Sequence, residues 1–488
     1  MKRADRLLKV ALFTCLGLAA CSDSTQPNAP VATDEASRPA MARKSRTPTD
    51  EYVLVAPDGA QLPASLEASV AAAGGTLVRK YEGAGVAVAK STSPGFADKA
   101  AKISGVETVA QDEVIQWVEP DPTSESVDAE AIEIVASATG TAETFSALQW
   151  APGAISAPQA WAAGYRGRGA RVAVLDGGVH STHLDLAPNL DIAHSTSFVP
   201  GQPFNTDVGT FWHGTHVAGI VAAAANDIGT AGIAPEATII AVKVLHNGSG
   251  SFSQVIAGII YAATPIAEGG AGAHVINMSL GAVFDRKEPG GMGLEKALSA
   301  ATKYARQRGV LVIAATGNEA IDLDRSGQVI SVPAQSSGVL GISATGPLGW
   351  GEDPSVSLDR VASYTNYGHR AVGLAAPGGD AALEGNAVCS RPRLPSGTVL
   401  QFCWVLDMVM STTRGTGASI GSYGWAAGTS MAAPAAAGVA ALIIGKYGPL
   451  GPAQLEARLR QSADDLGKPG EDDFYGQGRI NAWRAVTQ

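Results

Sequence analysis

From residue 149 onward the chain alternates short, nearly uninterrupted apolar runs with longer stretches of helical periodicity. The runs fall at 172–175, 239–245, 275–278, 310–315, 340–344 and 372–375. A strand that is apolar on both faces is buried on both, so this pattern predicts a mostly parallel central sheet between two helical layers, an α/β fold. In such sheets the reactive groups gather at the carboxyl ends of the strands.

Residues 51–118 follow a different rhythm. A strand at 52–55, a helix at 62–73 stopped by Gly74-Gly75, strands at 76–81 and 85–89, a helix at 94–103 and a last strand at 114–118 give the order βαββαβ. That order predicts a small α+β unit of ferredoxin-like arrangement, ending at about residue 120. The acidic stretch 121–148 lacks sustained periodicity and reads as an exposed linker.

At the N-terminus Lys2, Arg3, Arg6 and Lys9 precede an apolar run at 10–20, too short to span a membrane as a mature helix. Residues 1–20 are therefore expected to be a secretory signal. The run ends Leu18-Ala19-Ala20-Cys21, which resembles the lipobox of bacterial lipoproteins and implies a lipidated Cys21, with ordinary signal cleavage as the alternative. Residues 21–50, rich in Ser, Thr, Pro and Ala, read as a tether. A second apolar run, 431–445, comes close to membrane length and is expected instead as a buried helix, with Pro434 in its first turn.

Composition narrows the function classes. A chain of 488 residues can bury a large core, and 45% hydrophobic against 16% charged residues excludes general disorder. The balance of 35 Lys and Arg against 45 Asp and Glu gives a net charge of −10, which excludes nucleic acid as a natural partner. Of four cysteines, Cys15 lies in the signal and Cys21 is the lipidation candidate, leaving Cys389 and Cys403 for an oxidising compartment. They are expected to pair within a surface loop at 378–411; two separate buried thiols are the alternative.

Three segments carry chemistry. Asp176 closes the run Arg171-Val-Ala-Val-Leu-Asp, His213 opens His-Gly-Thr-His-Val-Ala-Gly-Ile, and Ser430 lies in Gly428-Thr-Ser-Met-Ala-Ala-Pro434. Acyl transfer by a nucleophile needs a hydroxyl, a base for its proton and a carboxylate to orient that base. Each segment alone is unremarkable, as a cap, a turn or a structural histidine. No Gly-x-Gly-x-x-Gly opens a helix after the first strand and no Gly-Lys-Ser/Thr pair occurs, which removes the nucleotide-binding reading.

Taken together, in the order Asp, His, Ser, the three segments strongly resemble the subtilisin-like serine proteases, over 149–488. The resemblance implies a secreted or surface-anchored serine endopeptidase of subtilisin-like three-layer fold, working through an acyl-enzyme without a catalytic cofactor. Asp176 would orient, His213 would act as base, Ser430 as nucleophile and Asn318 as oxyanion donor, with His216 structural. Gly248, Ser249 and Gly250, with Ser279, Leu280 and Gly281, would hold an extended peptide substrate as an added strand. Ala315, Thr316 and Gly317 would complete a first specificity pocket with an apolar preference, tempered by Glu319 at its rim. One departure is Gly177 after Asp176, where the family usually carries Ser or Thr.

The same resemblance implies a structural Ca2+ held by the side chains of Gln149, Asp185 and Asn226 and the carbonyls of Ala224, Ile228 and Thr230, although one carboxylate is a weak charge complement. It makes 51–120 an inhibitory prodomain that templates folding and is cut within 121–148, its only implied protein partner besides substrates in an otherwise monomeric enzyme. A catalytically impaired binding protein of the same fold is the alternative.

Overall fold

The computed structural model of the protein describes residues 46–118, 143–206, 213–288, 290–414 and 421–488. The signal, Cys21, most of the tether and residues 119–142 of the linker lie outside the described residues. In the first unit β1 (Arg46–Val55), α1 (Leu66–Ala73), β2 (Thr76–Tyr81), β3 (Val86–Lys90), α2 (Phe96–Ala100) and β4 (Thr108–Gln116) follow the expected βαββαβ order. The strands lie in the order β2-β3-β1-β4, all antiparallel.

Two boundaries differ from the sequence reading. β1 begins at Arg46, inside the stretch read as tether, because Arg46, Thr47 and Pro48 pair with Ile115, Val114 and Glu113 of β4. β4 begins at Thr108 and ends at Gln116, not at 114–118, since Gln111, Asp112 and Glu113 interrupt its apolar pattern. Asp112 is nonetheless fully buried: its Oδ1 accepts the Ser253 N–H of the second unit at 3.2 Å.

The second unit opens with α3 (Trp150–Ala154) and α4 (Ala157–Ala162). Then come β5 (Arg171–Asp176), β6 (Thr196–Ser197), α5 (His213–Ala222), β7 (Thr238–Lys243), β8 (Ser249–Ser251), α6 (Phe252–Ala263), β9 (Val275–Met278), β10 (Ala282–Asp285) and α7 (Gly291–Gln307). After these follow β11 (Leu311–Ala315), β12 (Val329–Val332), β13 (Val339–Thr345), β14 (Leu374–Pro377), β15 (Val388–Pro392), β16 (Thr398–Phe402), β17 (Val409–Thr413) and β18 (Ser422–Ala426). Helices α8 (Thr429–Tyr447), α9 (Pro452–Gln461) and α10 (Ala482–Thr487) close the chain.

Seven strands, in the order β14-β13-β11-β9-β5-β7-β6, form the parallel sheet. Side chains alternate across a strand, so each continuous apolar run feeds two cores. Val172 and Val174 of β5 join the core under α5 and α8, whereas Ala173 and Leu175 join the one under α6 and α7. The register sets Ala314 beside Met278 and Asn277 beside Val174, which brings the ends of β5, β9 and β11 to one edge.

Helix α8 is buried almost all round, which accounts for the apolar run without a membrane. Pro434 is its sixth residue and so lies beyond the first turn, contrary to the sequence reading. A proline there leaves the carbonyl four residues back without its helical donor. That carbonyl belongs to Ser430, and Ser279 Oγ donates to it at 2.7 Å.

The stretch read as a surface loop folds into the hairpin β15–β16, and Cys389 and Cys403 are joined by a bond of 2.05 Å. A ring of about 15 residues stabilises by up to ~3 kcal/mol in the chain-entropy model. Cys389→Ser/Cys403→Ser is therefore expected to lower stability by no more than this in urea unfolding, and mass spectrometry of the unreduced wild type should find no free thiol at either position.

Candidate active site

Asp176 is the last residue of β5, and its side chain is 1% exposed. His213 begins α5, and its Nδ1 stands 2.9 and 3.0 Å from the two carboxylate oxygens of Asp176. The close approach requires glycine at 214, where a Cβ would collide with the Gly178 carbonyl beneath the helix start. Asp176 Oδ1 also accepts the Gly177 N–H at 2.6 Å, so the residue that replaces a hydroxyl-bearing neighbour contributes its backbone instead. Lys243, across the ladder from Asp176 and fully buried, donates to the Gly177 carbonyl and holds the turn from its other side.

Ser430 is the second residue of α8. Its Oγ donates to the Ser279 carbonyl at 3.2 Å while Ser279 Oγ donates to the Ser430 carbonyl, a reciprocal pair linking the nucleophile candidate to the loop after β9. Asn318, past the end of β11, is exposed, and Thr429 orients its side chain. The Thr429 N–H and Oγ1 both bond to Asn318 Oδ1 at 2.9 Å, and Thr429 Oγ1 accepts the Gly317 N–H at 3.1 Å. A backbone N–H can only donate, so Oδ1 is fixed as the acceptor and Nδ2 is the donor left for a ligand. The Cβ position at Gly428 lies 3.4 Å from Asn318 Nδ2 and 3.6 Å from the Ser430 nitrogen, so both donors border one small space.

The residues expected to hold a peptide, 248–250 and 279–281, frame a groove that the first unit enters. β4 adds to β8 as an antiparallel strand, with Ile115 opposite Gly250 and Gln116 opposite Ser249. The N–H groups of Trp117 and Val118 donate to the Gly248 carbonyl at 2.9 and 3.1 Å, and the Gly281 N–H donates to the Trp117 carbonyl at 3.2 Å. Residues 116–118 thus lie between 248–250 and 279–281. A Cβ on Gly248 would collide with Val118, which explains the small residue. The Trp117 ring is buried edge-on against Phe252, and its Nε1 donates to the Gly250 carbonyl at 2.9 Å. On the other wall Thr316 is buried, and Asn366 holds the turn beyond it: Nδ2 donates to Thr316 O and Glu319 Oε2, and Oδ1 accepts the N–H groups of Glu319 and Ile321.

Residues 167–478 match the Subtilase family of peptidases. Subtilisin Savinase of Lederbergia lenta is 35% identical over 340 residues, 70% of this chain and 98% of its own. The chain belongs to the subtilase family. As a subtilase it is a serine endopeptidase, a hydrolase of peptide bonds. Thermitase of Thermoactinomyces vulgaris is 33% identical, with 70% of this chain and 97% of its own covered. In fold, the epidermin leader peptide processing serine protease of Staphylococcus aureus superposes with a TM-score of 0.66 at 22% identity, over 91% of this chain and 98% of its own.

Of the calcium ligands expected for this subtilase, Ala224, Asn226, Ile228 and Thr230 share the loop 224–230, and Asp185 reaches it. Asp185 Oδ2 accepts the Thr230 N–H at 2.9 Å, while its Oδ1 and the Thr230 hydroxyl are buried without a partner. Asn226 Oδ1 faces the Ile228 N–H at 3.3 Å, and the Asp185 carbonyl accepts the Ala224 N–H. Gln149, by contrast, clasps the Ala231 backbone with both its amide oxygen and its nitrogen at 3.0 Å. Glu143, from the stretch read as linker, is buried over the same loop, and its Oε1 accepts the Asp227 N–H at 3.3 Å. Burial raises both Asp185 and Glu143 to about 7, helped by the charge of Glu143 at Asp185 and by that of Asp227 at Glu143. Two carboxylates with unpaired buried oxygens, on a loop of amide and carbonyl oxygens, fit a hard cation. Among the described residues no three His, Cys, Asp or Glu side chains are grouped to hold a metal ion, so the amide and carbonyl oxygens of the loop would have to complete the shell.

Sequence reasoning passed over Thr429, Asn366, Lys243 and Glu143, each of which acts through partners distant along the chain. Thr429 alone had a signal, its place between Gly428 and Ser430. In a subtilisin, losing one oxyanion donor costs roughly 2.7–4 kcal/mol of transition-state stabilisation. Asn318→Ala is expected to lower kcat by about 100–1000-fold with KM little changed. Thr429→Val keeps its N–H bond to Asn318 but loses the hydroxyl, so a smaller fall of about 2–10-fold is expected in the same assay.

His216 lies one turn beyond His213 but serves the core: its ring is fully buried, and Nε2 bonds to the carbonyls of Val409 and Gly424 at 3.1 and 3.2 Å. Burial, with the nearby His213, lowers its pKa to about 3. The unfolded chain takes up this proton near pH 6.5, so the neutral ring's contribution is complete above about 6.5 and is lost as pH falls toward 3. Urea midpoints measured from pH 7 to pH 4 should fall more steeply for the parent protein than for His216→Gln.

Proposed function

We propose that this subtilase is made as a secreted zymogen whose Asp176, His213 and Ser430 form the catalytic triad, with Asn318 and the Ser430 N–H as the oxyanion donors. The observation that carries the reading is the contact of His213 Nδ1 with both oxygens of Asp176, at the same sheet edge where Asn318 Nδ2 and the Ser430 N–H border one space. With Nδ1–H held by the carboxylate, Nε2 is the basic nitrogen and takes the Ser430 proton as Oγ attacks the scissile carbonyl. The carbonyl oxygen becomes an anion in the space beside Gly428, where the amide, the N–H and the positive end of α8 stabilise it. Collapse of the tetrahedral species expels the amine, which takes the proton from His213, and leaves an acyl-enzyme on Ser430. Water, activated by the same histidine, releases the acid and restores the serine. No cofactor enters these steps.

Residues 51–120 are read as the inhibitory prodomain, and 121–148 as the stretch in which maturation occurs. The strand addition of β4 to β8 supports this, since residues 116–118 fill the groove a substrate would use. Ion pairs Lys296–Glu107, Lys303–Asp58 and Arg46–Glu288 fasten the same unit across α7 and its preceding turn. Calcium, held by Asp185, Asn226 and the loop carbonyls, would supply structural cross-linking and no chemistry. The basic and apolar N-terminus and the paired cysteines support export, with Cys21 as the lipid anchor.

A prodomain tethered in the groove is cut intramolecularly, at a high effective concentration. Purified Ser430→Ala is therefore expected to persist as a folded precursor, whereas the parent should mature at a rate independent of protein concentration. Normal maturation of Ser430→Ala with no other protease present would overturn the assignment of the nucleophile, and a parent that neither matures nor reacts with a fluorophosphonate would make the protein a catalytically impaired binding module.

A further inference from the structure

Glu143 stands in a stretch whose composition reads as exposed linker, yet the residue is only 8% exposed. The segment that follows it is firmly seated. The Phe145 N–H donates to the Gly229 carbonyl at 2.8 Å, its ring packs edge-on against Tyr423 with centroids 5.1 Å apart, and Leu148 is wholly buried. Thr144 offers its carbonyl to the Leu394 N–H at 3.0 Å, which ties the segment to the turn of the β15–β16 hairpin. This seating delivers Glu143 to the loop that also receives Asp185.

Three buried oxygens there lack any hydrogen-bond partner: Glu143 Oε2, Asp185 Oδ1 and Thr230 Oγ1. Asp185 is fully buried and Thr230 is 1% exposed. Among the described residues, no lysine or arginine forms an ion pair with either carboxylate. A buried carboxylate oxygen left without a donor or a positive charge is strongly unfavourable, and two on one loop repel each other as well. The loop meanwhile lets its partners come close: Gly229 has φ +58, and a Cβ on it would collide with Tyr423 Oη and Asp185 Oδ2.

We propose that Glu143 is the second carboxylate of the calcium site, and that the mature enzyme therefore begins at or before Glu143. This rests on the calcium reading above and supplies the charge that a site with Asp185 alone lacks, while Gln149 remains on the Ala231 backbone. Calcium affinity follows the number of charged ligands, so Glu143 turns a weak site into a firm one. Because the cation would bridge the N-terminal segment and the 224–230 loop, metal binding also fastens the new N-terminus to the body of the enzyme after the prodomain leaves.

The test uses the mature parent enzyme, freed of metal by chelation at pH 8 and blocked with an irreversible serine inhibitor, beside Glu143→Gln and Asp185→Asn. Calcium titration by calorimetry, and terbium luminescence sensitised through Tyr423, should find Glu143→Gln at least about tenfold weaker than the parent. Its melting temperature should match or exceed that of the parent in chelator, where a buried charge has been removed, and fall below it in saturating calcium. A purely structural glutamate would lower both. Intact mass of the matured parent, which needs no variant to fold, should place the N-terminus at or before Glu143. Equal calcium affinity in Glu143→Gln, or a mature N-terminus beyond Glu143, overturns the role of Glu143 and leaves a calcium site centred on Asp185. Absence of calcium binding in the parent, with no response in Asp185→Asn, overturns both readings.

Discussion

A helix buried along its whole length has unsatisfied backbone groups only at its ends, and α8 presents its N-terminal end to the cleft. Much of the site follows from that constraint. Thr429, enclosed at the first position, uses its N–H and hydroxyl to fix Asn318, and Ser430 follows with its amide beside the same space. Pro434 removes the donor that would have satisfied the Ser430 carbonyl, and Ser279 takes its place from the end of β9. The helix start thus joins the loops after β9 and β11, so the geometry of the candidate site and the packing of the core are enforced by one element.

The parallel sheet supplies the other half of the arrangement. Parallel strands end on the same edge, and the register of β5, β9 and β11 puts Asp176, Ser279 and Asn318 within one cleft although they are far apart in sequence. His213 completes it from the start of α5, which approaches closely because Gly214 has no side chain to strike the turn after Asp176. Burial keeps water from competing for the Asp176–His213 contact, and Lys243 under the turn holds the backbone that carries the carboxylate.

The small antiparallel unit joins the larger one through backbone hydrogen bonds at a sheet edge, through an apolar core in which Val53, Ile115 and Trp117 pack with Phe252 and Leu294, and through side chains that are polar yet buried. β8 is a short open strand, and β4 covers it as a substrate would. Asp112 adds a carboxylate to the N-terminal N–H groups of α6, and Glu51 accepts the Ser253 hydroxyl nearby. These polar contacts sit at the start of α6, next to the pairing of β4 with β8.

The sequence by itself determined the layers of both units, because continuous apolar runs and period-3.6 stretches are local patterns that specify two-sided burial wherever they occur. It also singled out Asp176, His213, Ser430 and Asn318 as candidates, since each was expected at a strand end or helix start beside small residues. Only the tertiary structure decided the rest. Asp112 breaks the apolar alternation of β4 and looks like loop until Ser253 is set against it. Glu143 reads as a solvated charge until the fold buries it, the partner of Lys243 within its buried strand is set by the turn after Asp176, and Asn366 and Thr429 act only because partners about 50 and 110 residues away arrive beside them. A polar residue's role depends on which groups satisfy it once water is excluded, and that is settled by the packing of distant segments and not by its neighbours in the chain.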